Sequence, residues 1–216
     1  MTLNLTTTVA KERLSSYLDK SSKHPTGAYV CKYNRPKLPR KIDDWLTINH
    51  GMPLKEDFSQ NGEDGIIREI FRVLQVDSGF IIDVGCWDGL KWSNSRTLLQ
   101  SSASWSGLLI EADEVRAKEA SELYSNRDNV TAVCERIGVR GDGKDGKLLG
   151  DILDDYASSV PEDITVLSID IDGADFHVWE TLKKDARVVI IEFNPTMPNG
   201  LEFIQARDSR VRHGTS

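Results

Sequence analysis

Short apolar runs recur between residues 80 and 193 and alternate with stretches whose apolar positions fall three or four apart. The runs at 80–84, 107–111, 130–134, 164–169 and 187–193 have the length and composition of strands. Wholly apolar strands are what a parallel sheet needs when helices cover both its faces. The intervening stretches predict helices over 90–100, 113–124, 147–156 and 174–183. Upstream, Ile66, Ile67, Ile70, Phe71 and Leu74 repeat at helical spacing and give one more helix with an apolar face. Strands alternating with helices imply right-handed crossovers, hence an α/β fold with a doubly wound, mostly parallel sheet.

Residues 1–56 break this rhythm. They are rich in Thr, Ser, Lys and Pro, with Pro25, Pro36, Pro39 and Pro53 as punctuation. One short helix over 10–18, a basic proline-rich arm over 32–41 and a docking stretch over 42–48 with Trp45 are the readings they allow. The division that follows is an N-terminal extension, 1–56, and an α/β domain, 57–216. At the junction Ser59 and Asn61 are helix-capping residues, with Glu63 and Asp64 behind them. Either that cluster only caps a helix, or Gln60, Asn61, Gly62 and Glu63 fold over a cofactor.

Composition narrows the class. The 216 residues are 39% hydrophobic and carry a formal charge of −7, which argues against a nucleic-acid partner because that needs a basic patch. Cys31, Cys86 and Cys134 form no CxxC pair, so a reducing, cytoplasmic setting is expected. No run approaches the ~20 apolar residues of a membrane helix, and the N-terminus lacks the pattern of a secretory signal. The turn at 141–146 has the composition of a calcium loop without its ligand spacing, and it is expected to be a surface turn.

The candidate chemistry sits at strand ends. Residues 80–84 run into Gly85-Cys86-Trp87-Asp88-Gly89, and glycines at a strand-to-helix turn let the backbone approach a ligand. Glu111 closes the next strand, at the spacing of an acid that holds ribose hydroxyls. Asp170, Asp172 and Asp175 follow the fourth strand, and Glu192 and Asn194 end the fifth. Carboxylates gathered on one edge repel each other unless water, a cation or a donor-rich ligand relieves them. Asp83, an acid inside a buried strand, is too costly to be idle. Asp170 and Asp172 need not share a ligand. Trp92 and Trp105 are expected in the core, and Cys86 as a small buried filler.

Taken in order, Asp83-Val84-Gly85-Cys86-Trp87-Asp88-Gly89, Leu109-Ile110-Glu111, Ser168-Ile169-Asp170-Ile171-Asp172-Gly173-Ala174-Asp175 and Ile191-Glu192-Phe193-Asn194 resemble the FkbM-type branch of class I S-adenosylmethionine-dependent methyltransferases. The likeness covers about 57–210, including the lead-in from Phe58 to Ile67. It implies a Rossmann-like fold, S-adenosylmethionine as cofactor and O-methylation of a small-molecule or glycan-type acceptor. It implies cofactor contacts from Asp83, Gly85, Cys86, Gly89, Glu111, Gln60, Asn61 and Asp170. Asp170 would face the methionine amino group or the reacting centre, and Asp172, Glu192 and Asn194 would hold Mg2+ where a cation is used. Trp87 stands where the wider pattern has its middle glycine. A hydroxyl acceptor must lose a proton, so Asp170 and His177 are the candidate bases, although the packing residues Phe176, Val178, Trp179 and Leu182 around His177 favour a structural role for it.

The family usually adds two strands after the fifth, whereas here only residues 200–216 remain, with 201–208 read as a short strand or substrate loop. The last strands are therefore expected to be missing. Two rival readings follow: a truncated, non-catalytic domain serving as a binding module, and a nicotinamide-dependent oxidoreductase. The second requires Gly-x-Gly-x-x-Gly, and here Cys86-Trp87-Asp88 separates the glycines. The acceptor and the oligomeric state stay open.

Overall fold

A computed structural model describes residues 29–32, 57–60, 62–141, 146–193 and 201–208. Asn61, Asn194, most of the extension and most of the 141–146 turn lie outside them. Five strands form one parallel sheet: β2 (Gly79–Val84), β3 (Trp105–Glu111), β4 (Val130–Cys134), β5 (Ile164–Ile169) and β6 (Ala186–Ile191). Their spatial order is β4-β3-β2-β5-β6. The chain thus winds outward from β2 in one direction and returns to lay β5 on its other side. This is the doubly wound arrangement, and its switch point lies between β2 and β5, where open α/β sheets bind ligands.

The pleat sorts the side chains into two cores. Ile82, Val84, Leu108, Ile110, Leu167 and Ile169 face α4 (Leu149–Asp155) and α5 (Asp175–Thr181). Ile81, Leu109 and Val166 face α1 (Glu63–Leu74), α2 (Arg96–Ser101) and α3 (Glu114–Leu123). Ile81, Ile82 and Leu109 are completely buried, and each such side chain stabilises by about 1.5–3 kcal/mol. By the same alternation, Asp83, Glu111, Asp170 and Glu192 point to the α1–α3 side as each strand ends.

Helix α1 begins with a reciprocal cap. The Asp64 carboxylate accepts from the backbone N–H groups of Asp57, Phe58 and Ser59, and the Ser59 hydroxyl accepts from the Asp64 N–H. The helix expected over 90–100 is shorter. It starts at Arg96, because Trp87, Gly89 and Trp92 all have positive φ and the Asp88 carboxylate ties the N–H groups of Leu90 and Lys91 into a turn.

The extension is not separate throughout. Its strand β1 (Tyr29–Lys32) pairs antiparallel with β7 (Leu201–Ile204), the strand that the 201–208 stretch allowed. Among the described residues, no helix is long and apolar enough to cross a membrane.

Candidate active site

At the carboxyl edge of β2, β3, β4 and β5 lies a cavity of about 570 Å³. That is within the range of ~300–1,000 Å³ typical of small-molecule sites. Gly85 and Glu111 line it, with Gln60 at the lead-in to α1 and Asp170 and Asp172 after β5. The ladder carries on past the strand ends and fixes these residues. Gly85 donates to the Ile110 carbonyl at 2.8 Å, Asp170 to Val84 at 2.9 Å and Glu192 to Ile169 at 3.1 Å.

Gly85 is required for a reason the sequence did not show. At φ +83° a Cβ there would fall 1.8 Å from the Asp170 carbonyl oxygen. The neighbouring backbone therefore excludes a side chain before any ligand does. Gly89 belongs to packing: its Cβ would meet Tyr124 at 3.1 Å, and its carbonyl accepts from the Tyr124 hydroxyl. It is not part of the cavity lining, and neither are Cys86 and Asp83. Cys86 is buried, and burial pushes its thiol well up. Asp83 is 2% exposed, and its Oδ2 accepts from the Ser95 hydroxyl at 2.6 Å, anchoring the start of α2. Burial raises its pKa, and the Ser95 and Ser168 hydroxyls offset part of that rise.

Glu111 works as a buckle between two turns. Its Oε2 accepts from the Trp87 N–H at 2.9 Å, and its Oε1 from those of Ala112 at 2.7 Å and Asp113 at 2.9 Å. A carboxylate has about four acceptor positions. With three engaged, room remains for about one ribose hydroxyl, not for a bidentate grip on both.

The acids after β5 and β6 do converge. One oxygen from each of Asp170, Asp172 and Glu192 lies within 4.8 Å of the others. Asp170 and Asp172, which need not have shared a ligand, come together where β5 stops at Ile169 and the chain turns at Asp172, with φ +56°. Burial, then the charges of Asp175, Asp172 and Asp83, push the Asp170 pKa up to about 6. Burial and the neighbouring carboxylates, Asp170 foremost, push Glu192 to about 7. Asp175 adds to this repulsion from the first turn of α5, while its two oxygens accept from the Ile171 and Gly173 N–H groups and shape the turn. An all-oxygen set of this size suits a hard cation such as Mg2+.

His177 is not at the cavity. It is 1% exposed on α5, with Nε2 2.9 Å from the Gln205 carbonyl and Nδ1 3.5 Å from the Glu180 carboxylate. It lies outside the cavity lining and bonds within the fold, as the packing residues around it suggested.

Trp105 is core as expected, but Trp92 is 57% exposed and lines the cavity beside Trp87. Glu135 and Arg136, just after β4, also line it, and sequence reasoning passed over both. The signal was their position: they follow the third strand of a parallel sheet, on the same edge as the other strand-end acids.

No family model matches the chain, and no curated protein matches it. Solved structures do. The O-methyltransferase from Bacillus cereus in complex with SAH superposes over 63% of this chain and 56% of its own, at 19% identity and TM-score 0.36. The SAH-bound Podospora anserina methyltransferase PaMTH1 superposes over 80% and 60%, at 11% identity and TM-score 0.34. The catalytic domain of hMettl16, solved with an RNA hairpin, gives 76% and 54%, at 14% identity and TM-score 0.32. The chain therefore spans little more than half the length of these proteins. At these scores the superpositions carry no argument for function. The doubly wound fold rests on the strand order itself.

Proposed function

We propose that the chain is an S-adenosylmethionine-dependent methyltransferase of the FkbM type, acting on a hydroxyl of a small-molecule or glycan-type acceptor in a cytoplasmic setting. One observation carries this reading: the glycine-turn backbone, Glu111 and Asp170 meet around a single cavity at the switch point of the sheet. The residues fit the cofactor. The Gly85 turn gives backbone access, Glu111 keeps one acceptor position for a ribose hydroxyl, and the acid-lined wall suits a cationic sulfonium.

When bound, the cofactor would supply an electrophilic methyl group for the acceptor oxygen, its sulfur keeping the electron pair of the carbon–sulfur bond. The chain's own task is to align the two partners, exclude water and take the hydroxyl proton. Asp170 is the base, since its pKa of about 6 leaves it ionised yet basic near neutral pH. Asp172 and Glu192 would hold Mg2+ if the reaction uses it, and a cation there would relieve their repulsion. Asn194 lies outside the described residues and stays a proposed ligand. Gln60 closes the cavity from the α1 side. Asp83 supports the site by anchoring α2.

Calorimetry decides between this reading and the oxidoreductase. SAH is expected to bind one to one, and NADH to give no saturable heat. Saturable binding of NADH without SAH would overturn the proposal.

A further inference from the structure

We propose that Trp92, with Trp87 beside it, is a stacking surface for a neutral sugar ring of the acceptor, whose hydroxyls donate to the Asp172 carboxylate. This rests on the methyl-transfer reading and adds a recognition element to it.

A tryptophan left 57% exposed on a cavity wall presents a large apolar surface. The two indoles are 6.1 Å apart and tilted by 37°, so they do not stack face to face on each other. The Arg116 guanidinium covers Trp87 at 4.6 Å, which leaves Trp92 as the more exposed of the two indoles. The ring pair is also held in place. Glu111 fixes the Trp87 backbone, and both tryptophans sit in the left-handed region, at φ +52° and +55°, where a bulky side chain is costly.

Charge selects among flat ligands. The cavity wall carries Glu111, Asp113, Glu135, Asp170 and Asp172, with Arg136 as the cation among the described lining residues. Acceptors bearing phosphate or carboxylate are repelled. An amine would be held in its protonated, unreactive form, whereas a hydroxyl is held ready to react. An aromatic face beside carboxylates suits the C–H face and hydroxyl rim of a pyranose, since the face gains dispersion and the rim finds acceptors.

The test uses the full chain saturated with SAH and titrated with methyl α-D-glucopyranoside, mannopyranoside and galactopyranoside. Binding is read by saturation-transfer NMR and tryptophan fluorescence. At least one glycoside is expected to bind, with affinity lowered about tenfold or more in Trp92→Ala and largely kept in Trp92→Phe. Glucose 6-phosphate is expected to bind about tenfold more weakly than the neutral glycoside. SAH affinity should be unchanged in Trp92→Ala. The proposal is overturned if no glycoside binds, if Trp92→Ala binds glycoside as well as wild type, or if that variant loses SAH instead, which would put the ring over the cofactor. A wild-type chain that fails to bind SAH counts against the methyl-transfer reading alone. Glycoside binding without SAH that Trp92→Ala abolishes would still uphold the stacking surface.

Discussion

Two polar clusters flank α5, and they are built on opposite principles. Asp170 and Asp172 before the helix and Glu192 beyond it bring three like charges together, the first two on the cavity wall, and their mutual repulsion adds to burial in raising the pKa values of Asp170 and Glu192. On the helix, His177 and Glu180 meet Arg207 from the segment after β7, and the imidazole and then Arg207 hold the Glu180 carboxyl below its usual range. The second cluster brings a carboxylate and a guanidinium together, so it staples the segment after β7 to the helix. The first gathers like charges at an open cavity wall. The sign of the neighbours separates the two clusters: Glu180 meets a cation, whereas Asp170 and Glu192 meet other carboxylates.

The sharpest way to break that contrast is Asp170→Asn. Methyl transfer should fall by about 100-fold or more, while the midpoint of thermal unfolding at pH 8 should rise, because a repelled charge is gone. Initial rates and a thermal melt check both, and a melt that drops by several degrees would make Asp170 a structural residue.

His177→Ala should do the reverse. Losing a fully buried ring and its bond to Gln205 should cost about 2–3 kcal/mol in denaturant titration, with SAH affinity unchanged.

Glu192→Gln has a pH signature. A carboxyl whose folded pKa is raised contributes stability fully below its unfolded value, near 4.5, and loses that contribution as pH rises through about 7. The variant should therefore match wild type near pH 4.5 and melt higher at pH 8. Because the group is partly exposed, the gain is discounted to about 1 kcal/mol. Added Mg2+ should stabilise wild type at pH 8 and the variant less. Equal melting at both pH values would show that the cluster carries no repulsion.

The smallest change is Arg207→Ala, since an ion pair this exposed is worth about 1 kcal/mol or less.

The sheet was legible because each strand is an apolar run and each helix an amphipathic one, and such local patterns survive in the sequence. Glu111 and Asp170 were legible as strand-end acids. Other features depend on contacts that the sequence does not display. Gly85 reads as a ligand-facing glycine, yet its first constraint is the Asp170 carbonyl. Trp92 reads as core, but the turn set by Asp88 and by positive φ at Gly89 delays α2 and swings that residue onto the cavity wall. His177 sits among packing residues, and its partner Gln205 is 28 positions away, so the staple was invisible. The pairing of β1 with β7 joins chain segments too distant for any local pattern to announce.

Amide hydrogen exchange with and without SAH tests the contrast most directly. The N–H groups of Trp87, Ala112 and Asp113, which Glu111 holds, should exchange more slowly once SAH is bound, along with those of 170–172. Amides of 175–182 and 201–207 should not change. Protection centred on the His177 staple, or none around Glu111, would contradict the assignment of the open cluster as the site.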